Sequence, residues 1–172
     1  MASLMEELIH ILDAEEEKYK DLLELSKQKT PVIIEGDIQK LQKITDEEQS
    51  VVDRLVSLDV KRAEAMKDIA EVMNKDVKTL KLSHLVEMLQ KRPSERDAIA
   101  ALRDRLKATV GELKMINDQN RELIRQSLDI VDFNLNLIRS QRSAPETSNY
   151  TRSAGMAGSA LGGPSGGFDA KQ

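Results

Sequence analysis

LQKITDEEQSVVDRLVSLDVKRAEAMKDIAEV, residues 41–72, decides the fold. Read at alternating three- and four-residue steps, Leu41, Ile44, Glu48, Val51, Leu55, Leu58, Arg62, Ala65, Ile69 and Val72 form one line, apolar except at Glu48 and Arg62. Such a line follows one side of an α-helix and is the seam of a coiled coil; a half-buried strand would alternate at every second residue. Asp37 reads as the N-cap, its carboxylate placed to accept from free amides of the first turn, and Asn74-Lys75-Asp76 reads as the end. At about 1.5 Å per residue, a helix over 37–74 is about 57 Å long.

On the N-terminal side, Leu4, Leu8, Ile11, Leu22 and Leu25 place a first helix over Ser3 to about Lys29, with Leu12, Tyr19 and Leu23 widening its stripe and Glu15 and Glu16 interrupting it. Thr30-Pro31 is expected to end that helix, because proline breaks the ladder and disfavours α conformation in the residue before it. Val32-Ile33-Ile34-Glu35-Gly36 is then an apolar connector folded back onto the bundle. On the C-terminal side the heptads break. Ser83 is expected to cap a short helix from His84 to Lys91, and Ser94, after Pro93, to cap a last helix reaching about Gln141, roughly 70 Å away.

The glycines agree with an all-helical body. Six of eight (155, 158, 162, 163, 166, 167) follow Pro145, leaving Gly36 and Gly111 in the first 142 residues. A sheet cannot be turned with so few, nor filled with 2% aromatic residues. The fold expected is all-α: an elongated antiparallel helical bundle or coiled coil of about three long helices plus a short connecting helix. That domain covers 1–142, and residues 143–172 form a flexible, disordered Gly/Ser-rich tail without apolar period.

Charge and composition exclude whole classes of function. Twenty-six basic and thirty acidic side chains give a net charge of −4, with the signs interleaved, so no basic face is expected and no nucleic acid is a partner. Cysteine is absent, which removes disulfides and thiolate metal sites. Met1-Ala-Ser-Leu-Met-Glu-Glu turns acidic at once, unlike a signal peptide, and no apolar run approaches the roughly 20 residues of a membrane span. A soluble cytoplasmic protein without direct membrane insertion is expected.

Catalytic chemistry has little to stand on. Glu7-Leu-Ile-His10 matches half of the Glu-x-x-His pair that di-iron bundles require, but His84 lacks a glutamate at that spacing. There is no nucleophile elbow and no glycine loop between a strand and a helix. No enzyme, metal or cofactor is expected.

The last helix carries the strongest functional signal. One seam runs Ile99, Leu102, Leu106, Thr109, Leu113, Ile116, Asn120, Leu123, Ser127, Ile130, Asn134, Leu137. A second opens one residue over at Ile124, Leu128, Val131, Leu135 and Ile138. One residue is about 100° of rotation, so residues 123–138 present an arc wide enough for two neighbours where 99–116 serve one. Either this half packs between two helices of a three-helix core, or part of it is a groove for a partner helix. Asn120 and Asn134 are polar seam residues of the kind that fix register in helix pairs.

The run Leu113-Lys-Met-Ile-Asn117-Asp-Gln-Asn120-Arg-Glu-Leu-Ile124-Arg-Gln-Ser-Leu128 through Ile138 resembles the C-terminal helix of the FlgN family of flagellar type III export chaperones. Glu6-Glu7-Leu8 through Lys18-Tyr19, Gly36-Asp37-Ile38 through Leu41, and Thr45-Asp-Glu-Glu48-Gln follow in matching order, so the resemblance covers roughly residues 4–140. It implies a cytoplasmic, helical, non-enzymatic chaperone. Its clients would be the C-terminal helices of the hook-associated (hook–filament junction) proteins FlgK and FlgL, kept from early assembly and delivered to the flagellar export gate. The partner-binding residues expected are Ile116, Asn120, Leu123, Ile124, Ser127, Leu128, Val131, Asn134, Leu135 and Ile138, in a chain monomeric alone and 1:1 with its client. Tyr150 and Phe168, isolated aromatics of the tail, are candidate gate-docking anchors. The competing expectation is a structural or regulatory coiled coil that self-associates through the 41–72 seam.

Overall fold

The structure, a computed structural model, describes residues 2–78 and 80–143. They form four helices, α1 (Ala2–Glu35), α2 (Ile38–Val72), α3 (Leu82–Met88) and α4 (Pro93–Ser143), with no strand among the described residues. The chain divides into two compact units, Met1–Asp129 and Ile130–Gln172. The packing below is that of the first.

α2 obeys its seam. Every seam residue from Leu41 to Ile69 is buried or half-buried, while Val72 at the helix end is exposed. The two polar positions meet polar positions of α1. Arg62 Nη1 lies 3.4 Å from Glu15 Oε2, and Glu48 accepts from Lys29 Nζ at 2.8 Å with Ser26 Oγ 3.2 Å from its other oxygen. Residue numbers rise along α1 as they fall along α2, so the two helices are antiparallel and the seam is occupied by α1. Burial pushes the Glu15 carboxyl above its ordinary range, against the opposing pull of Arg62, with Asp59 adding to the rise. The acids that interrupt the α1 stripe are thus inside the bundle, matched to arginines: Glu16, also buried, has Lys20 at 2.7 Å and Arg105 at 3.7 Å.

α1 does not stop at Lys29. It runs through Pro31 to Glu35, and the expected connector is its last turn. Proline inside a helix costs about 3 kcal/mol, chiefly through the missing N–H and the clash with the carbonyl four residues back. Lys27, which owns that carbonyl, is an exposed residue. Val32 and Ile33 are buried, and burying such side chains contributes about 1.5–3 kcal/mol each, enough to carry the helix past its proline. The stop is Gly36, at φ +70°. Gly36 N–H donates to the Ile33 carbonyl and Asp37 N–H to that of Val32, both at 3.2 Å, the paired closure of a Schellman motif. Asp37 then caps α2, its carboxylate accepting from Lys40 N–H at 2.9 Å, the bond that chiefly holds the Asp37 carboxyl below its ordinary range. α2 closes the same way at Asn74, φ 53°, with Lys75 N–H reaching the Ala70 carbonyl.

Two caps differ from expectation. α3 begins at Leu82, behind Lys81, with Ser83 already inside it and no side-chain cap; the fully buried Leu85 and its neighbours Leu80 and Leu89 fix this short element by packing. α4 begins at Pro93 rather than behind Ser94, its first bond running from Arg96 N–H to the Arg92 carbonyl. Proline suits that position, since its φ is preset and no N–H is left without a partner.

The core is uneven. A large cluster joins Met5, Leu8 and Leu12 of α1, Ala65 and Ile69 of α2, Leu80, Leu85 and Leu89 around α3, and Ile99, Leu102 and Leu106 of α4. A smaller one, Leu22, Leu23, Leu55 and Leu113, follows toward the α1–α2 turn, with Tyr19, Val51 and Ile116 against it. Beyond that lies a polar layer. Since burial scales with apolar area, the bundle is held most firmly at its α3 end and least firmly at the Gly36 turn.

Candidate partner-binding face

α4 runs beside α1 in parallel. Arg105 meets Asp13 at 3.6 Å, Glu112 meets Lys27 at 2.8 Å, Asn117 Oδ1 accepts from Ser26 Oγ at 2.9 Å, and Asn120 reaches both Ser26 and Thr30. In the last of these layers Asn120 Nδ2 donates to the Ser26 backbone carbonyl at 2.8 Å, and its Oδ1 accepts from Thr30 Oγ1 at 2.7 Å. The residue is 3% exposed.

Exposure changes at the same place. Ile116 is half-buried against the smaller cluster, Asn120 is bound as described, and Leu123 is half-buried. Ile116 and Asn120 are therefore engaged inside the chain. Each residue from Ile124 to Arg142 is exposed, and the large apolar ones range from 37% at Ile124 to 67% at Phe133. Ile124 and Leu128 in the first unit, and Ile130, Val131, Leu135, Leu137 and Ile138 in the second, are all exposed. Ser127 and Asn134 are exposed on the same arc, with Ser127 Oγ bonded to the Leu123 carbonyl at 2.9 Å. Tyr150 and Phe168 lie outside the described residues.

Part of the charge on α4 is paired within the helix. Arg125 forks onto Glu122, Nη2 to Oε1 at 2.7 Å and Nε to Oε2 at 3.0 Å, and also meets Asp129 at 3.1 Å. The Arg125 bonds, assisted by Gln126, pull the Glu122 carboxyl down to about 2. These three charges pair with one another within one helix. Among the described residues no three His, Asp or Glu side chains converge on a metal position, and His10 is exposed.

Large apolar side chains exposed along one helix are of the kind that mark interaction surfaces. The FlgN protein family matches residues 1–158 of the chain.

The chain belongs to the FlgN family.

Membership carries a flagellar export chaperone role in general terms, in a family of chaperones rather than enzymes. Neither a curated protein nor a solved structure matches the chain. No helix among the described residues is long and apolar enough to cross a membrane. For this FlgN-family chain, sequence reading missed Ile34 and Ile38, which flank the Gly36 turn with 69% and 78% of their surface exposed. The signal was present as Ile33-Ile34, an apolar pair too long for one core-facing position.

Proposed function

We propose that this chain is a cytoplasmic flagellar export chaperone. It holds the C-terminal helical segments of the hook-associated proteins FlgK and FlgL against residues 123–138 of α4, keeps them from assembling early, and delivers them to the type III export gate. The observation that carries the reading is the run of exposed apolar side chains from Ile124 to Ile138 on one helix. A subunit whose terminal helix is built for helical assembly is aggregation-prone until it has a partner, and such an arc supplies a temporary one. Self-association through the 41–72 seam would require α1 to leave it, since α1 occupies that seam.

Size-exclusion chromatography with light scattering tests the reading. The chain alone should run as a monomer and convert to a 1:1 complex on adding the FlgK or FlgL C-terminal segment. A stable homodimer that ignores both segments would replace the proposal with the coiled-coil alternative. The proposed gate-docking role of Tyr150 and Phe168 falls if deleting 144–172 leaves gate association and motility unchanged.

A further inference from the structure

Three lines of residues, each at seven-residue steps, run along the outer part of α4: Leu123, Ile130, Leu137; then Asn120, Ser127, Asn134, Gln141; then Ile124, Val131, Ile138. A seven-residue step returns to nearly the same side of the helix, about 20° short of two full turns, so the polar line lies between two apolar ones. At its first member the structure shows how such a line is met. The Asn120 amide bonds a helix, α1, through one backbone carbonyl and one hydroxyl, those of Ser26 and Thr30. At later members the side chains differ in their needs. Ser127 is satisfied within α4 by the Leu123 carbonyl, whereas the Asn134 amide is exposed and has no hydrogen-bond partner among the described residues.

A helix laid over both apolar lines would cover Asn134. Burying an amide without a partner weakens binding by about tenfold or more, and a partnered one escapes that loss. We propose that Asn134 sets the register and identity of the bound segment: the partner is an amphipathic α-helix carrying a hydroxyl or carboxamide side chain opposite Asn134, as α1 carries Thr30 opposite Asn120. The inference rests on the docking face proposed above. An all-apolar helix of the same length is discriminated against, so the face selects among coiled-coil sequences rather than taking any of them.

The test uses the full chain and two synthetic amphipathic helical peptides of about three heptads, one apolar at every seam position and one with a single asparagine at the central position. Binding is read by fluorescence anisotropy. The wild-type chain should favour the asparagine peptide by about tenfold, and Asn134→Leu should reverse the preference by a similar factor. Asn136→Leu, on the other side of the helix, should leave it unchanged. Both positions are exposed, so helicity by circular dichroism should be unaltered in both variants. Equal binding of the two peptides by wild type, or an unchanged preference in Asn134→Leu, overturns the role of Asn134 while leaving the docking face in place. Failure of every protein to bind either peptide overturns the face itself and the inference with it.

Discussion

Replacing Asn120 with alanine probes the polar layer that ties α4 to α1. Two hydrogen bonds are lost, the 2.8 Å bond to the Ser26 carbonyl and the 2.7 Å bond from Thr30 Oγ1, both in a layer where Asn120 is almost wholly buried. A hydrogen bond of this kind contributes about 1 kcal/mol net, so Asn120→Ala should destabilise the bundle by about 2 kcal/mol. With a urea dependence near 2 kcal/mol per molar, as expected of a domain of this size, the midpoint should fall by about 1 M with the slope unchanged. Thr30→Val removes one of the two bonds and should cost about 1 kcal/mol, and the double variant should cost less than the sum because the bond is shared. Asn134→Ala is the control: its side chain is exposed, and a change within about 0.5 kcal/mol is expected. Urea titrations followed by circular dichroism at 222 nm give all four values. If Asn120→Ala costs no more than Asn134→Ala, the polar layer does not tie α4 to α1, and the reasoning fails.

Pro31→Ala should stabilise α1 by about 1–3 kcal/mol, since it restores an N–H to a helix that already runs through the position; a lowered urea midpoint would show that the helix depends on the interruption. The Glu122 carboxyl should titrate near 2 in the folded chain, against an ordinary value of 4.5. Because the folded value is depressed, the stabilisation from its Arg125 and Gln126 bonds is full above 4.5 and is lost as pH falls from there toward 2. Carbon-detected NMR should show this, and Arg125→Ala should return the titration to the ordinary carboxylate range.

The bundle was legible where sequence and packing speak through the same residues. Glu48 and Arg62 stand out in the α2 seam because they break it, and the structure gives each a polar counterpart on α1. Pro31 was misread for a physical reason: the rule that proline ends helices is local, whereas the burial of Val32 and Ile33 that overrides it depends on the rest of the bundle. The caps at Ser83 and Ser94 lost to packing around Leu85 and to the fit of Pro93 at a helix start. The apolar arc of α4 was legible as an arc but not as an open one. The end of α1 rests on Gly36, one residue whose positive φ closes the helix.

The central claim, that the arc from Leu123 to Ile138 holds a client helix, is tested most directly by Leu128→Asp combined with Leu135→Asp. Both side chains are exposed in the chain alone, so helicity and unfolding midpoint should be close to those of wild type. A carboxylate at each position would have to be desolvated beneath a bound helix, which should weaken binding by about a hundredfold or more. Calorimetric titration with the C-terminal segment of FlgK or FlgL should give a 1:1 complex for the wild-type chain and no measurable heat for the double variant. A double variant that binds the segment as tightly as wild type would contradict the account.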